Sequence, residues 1–296
     1  KSGSKALLSS LDGGKTWEAY SDGLTYNGTT EMVREIKFHP QIAGLVYLTT
    51  ESGGRFYWRN YLNKQMTSWQ LGTGLLGNWL RGILFFPQTN APSKVAVYGH
   101  RGILVSENYG RDQWTQHSAV IGIISAAVAP SDAKRVYANE GTVGMMYSYN
   151  GGKTFTPSNK GLKIHPIRAI SIAKNDTQRV YAASDNGVFR SVDGGESWSP
   201  TSRTGMFHIV AVDPQNDDVV YAGGGDWGAN TWYLYRSSDG GVSWDPPLNV
   251  SDITYPIGSI LVHPKNSDLI FVGAAAGPQG RCDEGPTKTI HVTWAK

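Results

Sequence analysis

Short runs of alternating apolar and polar residues recur along this chain, and each ends at or beside a proline. They read VREIKFHP (33–40), LRGILFFP (80–87), IISAAVAP (123–130), IRAISIAK (167–174), FHIVAVDP (207–214) and IGSILVHP (257–264), with Lys174 in place of the proline in the fourth. A period of two predicts half-buried β-strands. A shorter, wholly apolar run follows each of them, as in RVYAAS or VVYAGG, and predicts a strand covered on both faces. Two more short strands complete each unit, with turn residues between them and no helical periodicity anywhere. Four short strands, repeated in series, predict the blades of a β-propeller.

A second pattern runs out of phase with the first. Ser, Asp, two glycines and an aromatic residue recur in SLDGGKTW (10–17), SENYGRDQW (106–114), SYNGGKTF (148–155), SVDGGESW (191–198) and SSDGGVSW (237–244). The serines stand 96, 42, 43 and 46 residues apart, so one degenerate unit lies between the first two copies. A period of 40 to 50 residues belongs to propellers and arrays. The carboxylate in such a turn can accept backbone N–H bonds, and the glycines supply positive φ. The aromatic residue returns along the fourth strand to fill the space between blades. The motif residues Ser10, Asp12, Gly14, Trp17, Ser148, Asn150, Ser191, Asp193, Gly195, Trp198, Ser237, Asp239, Gly241 and Trp244 are therefore expected to be structural.

Six opening strands predict six blades in one domain covering residues 1–296, with seven as the alternative. The gap through the termini, from Ser237 round to Ser10, suits one blade plus an insertion. The last blade is expected to take its inner strands from 257–276 and its outer strands from 5–20, which would close the ring through both chain ends. The segment TKTIHVTWAK (287–296) has no place in that scheme.

The Ser-x-Asp-x-Gly-x-x-Trp turn resembles the Asp-box, or bacterial neuraminidase repeat, over the whole chain. Sialidases, xyloglucan-cleaving glycosidases, the sortilin ectodomain and photosystem assembly factors carry it. The resemblance implies a propeller whose Asp-box turns lie at one end and whose ligands bind at the other. It does not imply an activity, since one fold hosts many.

Aligned on their prolines, the opening strands carry Arg34, Arg81, Ile124, Arg168, His208 and Gly258 at one position. The fold would bring three arginines and a histidine to one mouth of the central channel, a candidate site for carboxylates or other anions. The alternative is local pairing of each arginine with a loop carboxylate such as Glu31, Glu140 or Asp185. Trp79, two residues before Arg81, and Trp227 are candidate stacking residues on the same face. The segment 39–58 resembles the opening blade of xyloglucan-cleaving glycosidases, with Glu51 where that family carries a catalytic Asp. Asp226, in GGGDWG, offers a second carboxylate in the equivalent loop of the fifth blade. Glycoside hydrolysis needs such a pair. That family, however, uses two propellers, and this chain has length for one.

Composition narrows the choice. A net charge of +3 and the lack of a Lys/Arg run argue against nucleic acid. No apolar run is long enough for a membrane helix, and no metal-ligand spacing or cofactor fingerprint appears, so no metal or cofactor is expected. The single cysteine, Cys282, allows no internal disulfide. The expected role is a secreted, periplasmic or cell-surface recognition module for a glycan or protein partner, free-standing or part of a larger extracellular protein. The rivals are a glycoside hydrolase using Glu51 and Asp226, and an assembly factor that holds another protein's tail.

Overall fold

The computed structural model describes residues 8–9, 18–20, 22–26, 29–30, 33–50, 54–63, 65–75, 79–87, 93–162, 166–226, 231–249, 256–274 and 290–292. It is an all-β, six-bladed propeller. Five blades are four-stranded antiparallel sheets in simple up-down order. Blade 1 runs from Val33–Phe38 to Gln70–Leu71, blade 2 from Leu80–Leu84 to Thr115–Ser118, and blade 3 from Ile123–Ala129 to Thr156–Pro157. Blade 4 runs from Ile167–Ile172 to Ser199–Pro200, and blade 5 from Met206–Val212 to Leu248–Asn249. Blade 6 comprises Ile257–His263, Asn266–Ala274 and Ile290–Val292. The first strand of each blade touches the first strand of the next, from Val33–Phe38 through to Ile257–His263.

The apolar runs become the second strands, as the pattern predicts. Leu45–Thr50, Val95–Gly99 and Val180–Ser184 are buried along their whole length. Neighbouring blades cover both of their faces, which is why no polar alternation survives there. The core is a series of clusters, each shared between adjacent blades. In one of them Ala129, Tyr137 and Met145 of blade 3 meet Ile167, Val180, Phe189 and Trp198 of blade 4. A fully buried side chain of this kind contributes about 1.5–3 kcal/mol.

Polar bonds fix the same seams. Trp198 is wedged between two blades; its backbone N–H donates to Lys160 O at 2.9 Å and its indole Nε1 to Ser158 Oγ at 3.0 Å. Gly161 makes this approach possible: its φ is +87°, and a Cβ there would collide with the Trp198 carbonyl. The Tyr137 hydroxyl of blade 3 donates to Gly194 O of blade 4 at 2.9 Å, and that of Tyr181 in blade 4 to Gly240 O of blade 5 at 2.9 Å.

The Ser/Asp turns behave as the sequence predicts, with a larger share for the serine. Ser191 Oγ accepts from Gly195 N at 2.8 Å and donates to Asp193 Oδ1 at 2.7 Å. Asp193 Oδ1 accepts from Ser197 N at 2.9 Å. Ser237, Asp239, Gly241 and Ser243 repeat these bonds in blade 5. Burial is the largest single influence on Asp193 and opposes its ionisation, but the hydrogen bonds from Ser197, Ser191 and Glu196 N together outweigh it and pull the carboxyl down to about 2. The bonds from Ser243 do the same for Asp239, also to about 2. The degenerate unit is blade 1, which keeps only its wedge, Trp69.

Closure at the chain ends differs from expectation. The strand paired to Asn266–Ala274 is Ile290–Val292, not a segment of 5–20. Ile290, His291 and Val292 alternate and follow on the same chain, so they take the open edge of a long second strand. Leu8–Ser9 pairs instead with Glu18–Ala19. The first Ser/Asp turn, with Ser10, Asp12, Gly14 and Trp17, lies between these two strands and outside the described residues. The connector after this hairpin does dock as expected of a preceding blade. Trp69 donates from its N to Asp22 O and from Nε1 to Tyr20 O, both at 2.8 Å, while Leu24 is fully buried beside it. Tyr20–Leu24 thus stands to Trp69 as Ser158–Leu162 stands to Trp198.

Candidate functional site

The aligned residues share one backbone feature. In every first strand the ladder to the second strand skips that residue. Pairing jumps from Val33 to Glu35, from Gly82 to Leu80, from Ile123 to Ser125, from Ile167 to Ala169, from Phe207 to Ile209 and from Ile257 to Ser259. Arg34, Arg81, Ile124, Arg168, His208 and Gly258 are therefore all β-bulge residues. A bulge adds an unpaired residue and re-aims its side chain, which is why bulges gather beside binding sites. Five of the six are exposed and His208 is half-buried.

Two groups form around the mouth. In the first, the charges of Glu35, Arg34 and Arg81 act on the buried Tyr98 hydroxyl. Burial and the Glu35 charge push that phenol well above its ordinary range, against the opposing pull of the Ala126 backbone and the two arginines. Glu35 points away from the mouth into the seam with blade 2. Its Oε2 accepts from Ile83 N at 2.5 Å, and its Oε1 lies 3.3 Å from Lys37 Nζ, which itself donates to Ile83 O at 2.7 Å. Both arginines carry further interactions.

In the second group, Arg168 makes a two-pronged pair with Asp185, Nε to Oδ1 at 2.5 Å and Nη2 to Oδ2 at 3.0 Å. The local pairing considered for the arginines thus holds at this position. His208 lies against Trp232, edge to face at 6.0 Å. Burial foremost, and then Arg168, lower its pKa against the opposing pull of Asp185, so the imidazole is neutral at neutral pH. Glu140 does not pair with an arginine. It caps its own turn, accepting from Thr142 N at 2.8 Å and Val143 N at 2.7 Å. Burial, the largest single influence, raises its pKa, but these bonds together with one from the Thr142 hydroxyl leave the carboxyl below its ordinary value.

Trp79 has the least ordinary backbone at this end. Its φ is +38°, in a region that bulky residues avoid, and 68% of its surface is exposed. Its main chain is held between two glycines. A Cβ on Gly54 would lie 2.5 Å from Trp79 N, and one on Gly99 would meet the Trp79 carbonyl. His100 N donates to that carbonyl at 3.3 Å. Gly54, in the segment 39–58 whose resemblance to a glycosidase blade is given above, thus makes room for the Trp79 backbone. No sequence signal reports such a conformation. The tight glycines, on two different blades, were the only trace of it.

Asp226 is the last residue of the strand Val220–Asp226, paired with Thr231, rather than a loop residue. Glu51 and Trp227 lie outside the described residues. Among the described residues no group of three or more potential metal ligands occurs, and no helix is long and apolar enough to cross a membrane.

No protein-family model matches the sequence, and no curated protein matches it. Solved structures do. An ancestral GH74 enzyme superposes with a TM-score of 0.64 at 18% identity, covering 83% of this chain and 35% of that one. The GH74 enzyme of Niastella koreensis gives 0.66 at 19% identity, covering 82% of this chain and 41% of that one. The chain therefore spans well under half the length of these two enzymes. YCF48 bound to D1 peptide gives a TM-score of 0.63 at 18% identity, covering 91% of this chain and 84% of that one. YCF48 from Cyanidioschyzon merolae gives 0.63 at 18% identity, covering 90% and 84%. At such identities the likeness shows a shared propeller fold.

Proposed function

We propose that this chain is a recognition propeller of the Asp-box class, and that its arginine-bearing mouth holds a carboxylate-rich segment of a partner protein. The observation that carries this reading is the set of bulges. One backbone device, repeated six times, presents Arg34, Arg81, Arg168 and His208 at equivalent places. Guanidinium groups favour carboxylates through paired hydrogen bonds. Trp79, exposed on strained backbone beside Arg81, adds a flat apolar anchor. Among the described residues, three carboxylates toward this end are engaged, as an ion pair (Asp185), a turn cap (Glu140) and a seam bond (Glu35). A glycosidase acid instead needs a carboxyl whose pKa is raised. The likeness to YCF48, one structure of which holds a peptide, agrees with a protein ligand.

The likeness to GH74 enzymes supports a second reading, glycoside hydrolysis by Glu51 and Asp226. A combined screen separates the two: a peptide and glycan array, with sugar release measured in parallel. Recognition predicts capture of acidic peptides and no sugar release. The double variant Arg34→Ala/Arg81→Ala should then lose at least about 100-fold in affinity, equivalent to about 2.7 kcal/mol, with an unchanged melting temperature. Sugar release abolished by Glu51→Gln would establish the hydrolase reading instead. Capture of neutral glycans alone, untouched by the arginine variants, would remove the mouth from the account.

A further inference from the structure

The Ser/Asp turns differ between blades in a way that the turn itself does not require. Blades 4 and 5 carry Asp193 and Asp239, whereas blades 2 and 3 carry Asn108 and Asn150 at that position. The amide does the same work: Asn150 Oδ1 accepts from Ser148 Oγ at 2.9 Å, Lys153 N at 3.1 Å and Thr154 N at 3.0 Å. In blade 3 a negative charge is thus missing from the turn end with the geometry kept, whereas in blade 2 the Asp112 carboxylate accepts from the Asn108 amide and returns one to the turn.

A cleft of about 210 Å³ opens at this end, between blades 2 and 3. Its walls carry Lys94, Lys134, Lys153, His117 and Asn150, over the apolar ring of Phe86. Three lysines therefore line one small cavity. Lys94 is partly neutralised by Glu107 at 3.4 Å, an exposed carboxylate. The carboxylate of Asp132 is turned to Arg135 at 3.4 Å and to Lys134 N at 2.9 Å. Among the described residues no carboxylate is paired with the Lys134 or Lys153 ammonium. His117 Nε2 lies 2.9 Å from Gly151 O, so that nitrogen carries the proton and donates. Burial first, and then Lys94 and Lys153, lower the pKa of this imidazole, against the opposing pull of Gly151 O and Glu107.

We infer that this cleft is a binding site for a phosphate group, separate from the mouth and at the opposite end of the propeller. Lysine ammoniums are compact charges that converge on a tetrahedral oxyanion. The lining holds no arginine fork, which a planar carboxylate would favour. Phe86, with Lys94 Nζ 5.3 Å from its ring centroid, leaves an apolar floor for the group that carries the phosphate.

The test is calorimetric titration of the full chain with inorganic phosphate, phenyl phosphate and acetate at matched ionic strength, alongside an NMR titration of His117. Saturable phosphate binding at one site is expected, tighter for phenyl phosphate and weaker by at least tenfold for acetate. The variant Lys134→Gln/Lys153→Gln should weaken phosphate binding at least tenfold. The variant Lys160→Gln/Lys174→Gln, which removes as much charge elsewhere, should leave it unchanged. The His117 pKa should rise on binding, because a neighbouring anion favours the imidazolium. Equal affinities for acetate and phosphate, or equal losses in the two lysine variants, would overturn the site. So would loss of phosphate binding in Arg34→Ala/Arg81→Ala, which would locate the anion at the mouth. The mouth reading stands or falls separately, on acidic peptides.

Discussion

The two ends of this propeller repeat in different ways. At the turn end, backbone and side chains recur together: Ser191, Asp193 and Gly195 make the bonds that Ser237, Asp239 and Gly241 make one blade later. At the mouth only the backbone recurs. Six identical bulges carry Arg, Arg, Ile, Arg, His and Gly. Where chemistry repeats with geometry, the residue is needed to make the fold. Where geometry repeats and chemistry does not, the fold is a frame, and the side chains are free to serve a ligand. The Asn turn of blade 3 stands between these cases, since it keeps the bonds and gives up the charge.

The sharpest attack on this contrast is Ser191→Ala. It removes a buried acceptor from Gly195 N and a donor to Asp193, so a loss of about 1–3 kcal/mol is expected in urea unfolding, with ligand capture at the mouth unchanged. Stability within error of the original would end the claim that the turn is a staple. Trp79→Gly tests the other end and should act in the opposite direction. Relief of the left-handed backbone, less the entropy of an added glycine, predicts a gain of about 0.5–1 kcal/mol together with weaker capture. A destabilised variant with full affinity would make Trp79 a packing residue.

The smallest effect is the exchange of Asp and Asn within the turn. Asp193→Asn should change stability by less than about 0.5 kcal/mol at pH 7, because Asn150 already serves in the same place. The pH profile should change more. The folded carboxyl sits near 2 against an ordinary 3.8, so its contribution is complete above the ordinary value and is lost as pH falls through about 2. Melting temperature measured from pH 5 to pH 2 should therefore fall less steeply in Asp193→Asn. Asn150→Asp should add a step of the opposite kind.

Much of this was legible in the sequence because it is local. The proline-anchored alternation marks the six first strands, and the residue six places before each anchor is the bulge residue. The Ser/Asp turns announced their own bonds because all the partners lie within six residues. The turn of blade 1 is legible only as a gap in the spacing of the serines. That turn, NYLNKQMTSW, has swapped the motif for other local bonds, such as Asn63 Oδ1 with Gln65 N at 3.1 Å. What could not be read is long-range. Glu35 looks like a rim charge beside Arg34, but strand alternation turns it into the seam toward Ile83, 48 residues away. The pairing of Ile290–Val292 depends on which edge is open, a property of the assembled sheet. The lysine cleft draws on separate segments around Lys94, Lys134 and Lys153, whose charges look scattered in sequence.

The tyrosine bonds of blades 3 and 4 bear on how the molecule comes apart. Each hydroxyl satisfies a glycine carbonyl that belongs to the following sheet, so detaching one sheet strands a polar atom on the next. Loosening would then spread along the ring, and mechanical or thermal failure should begin where such a bond has no counterpart. Resistance to partial opening at these two interfaces thus rests in part on one phenolic oxygen each.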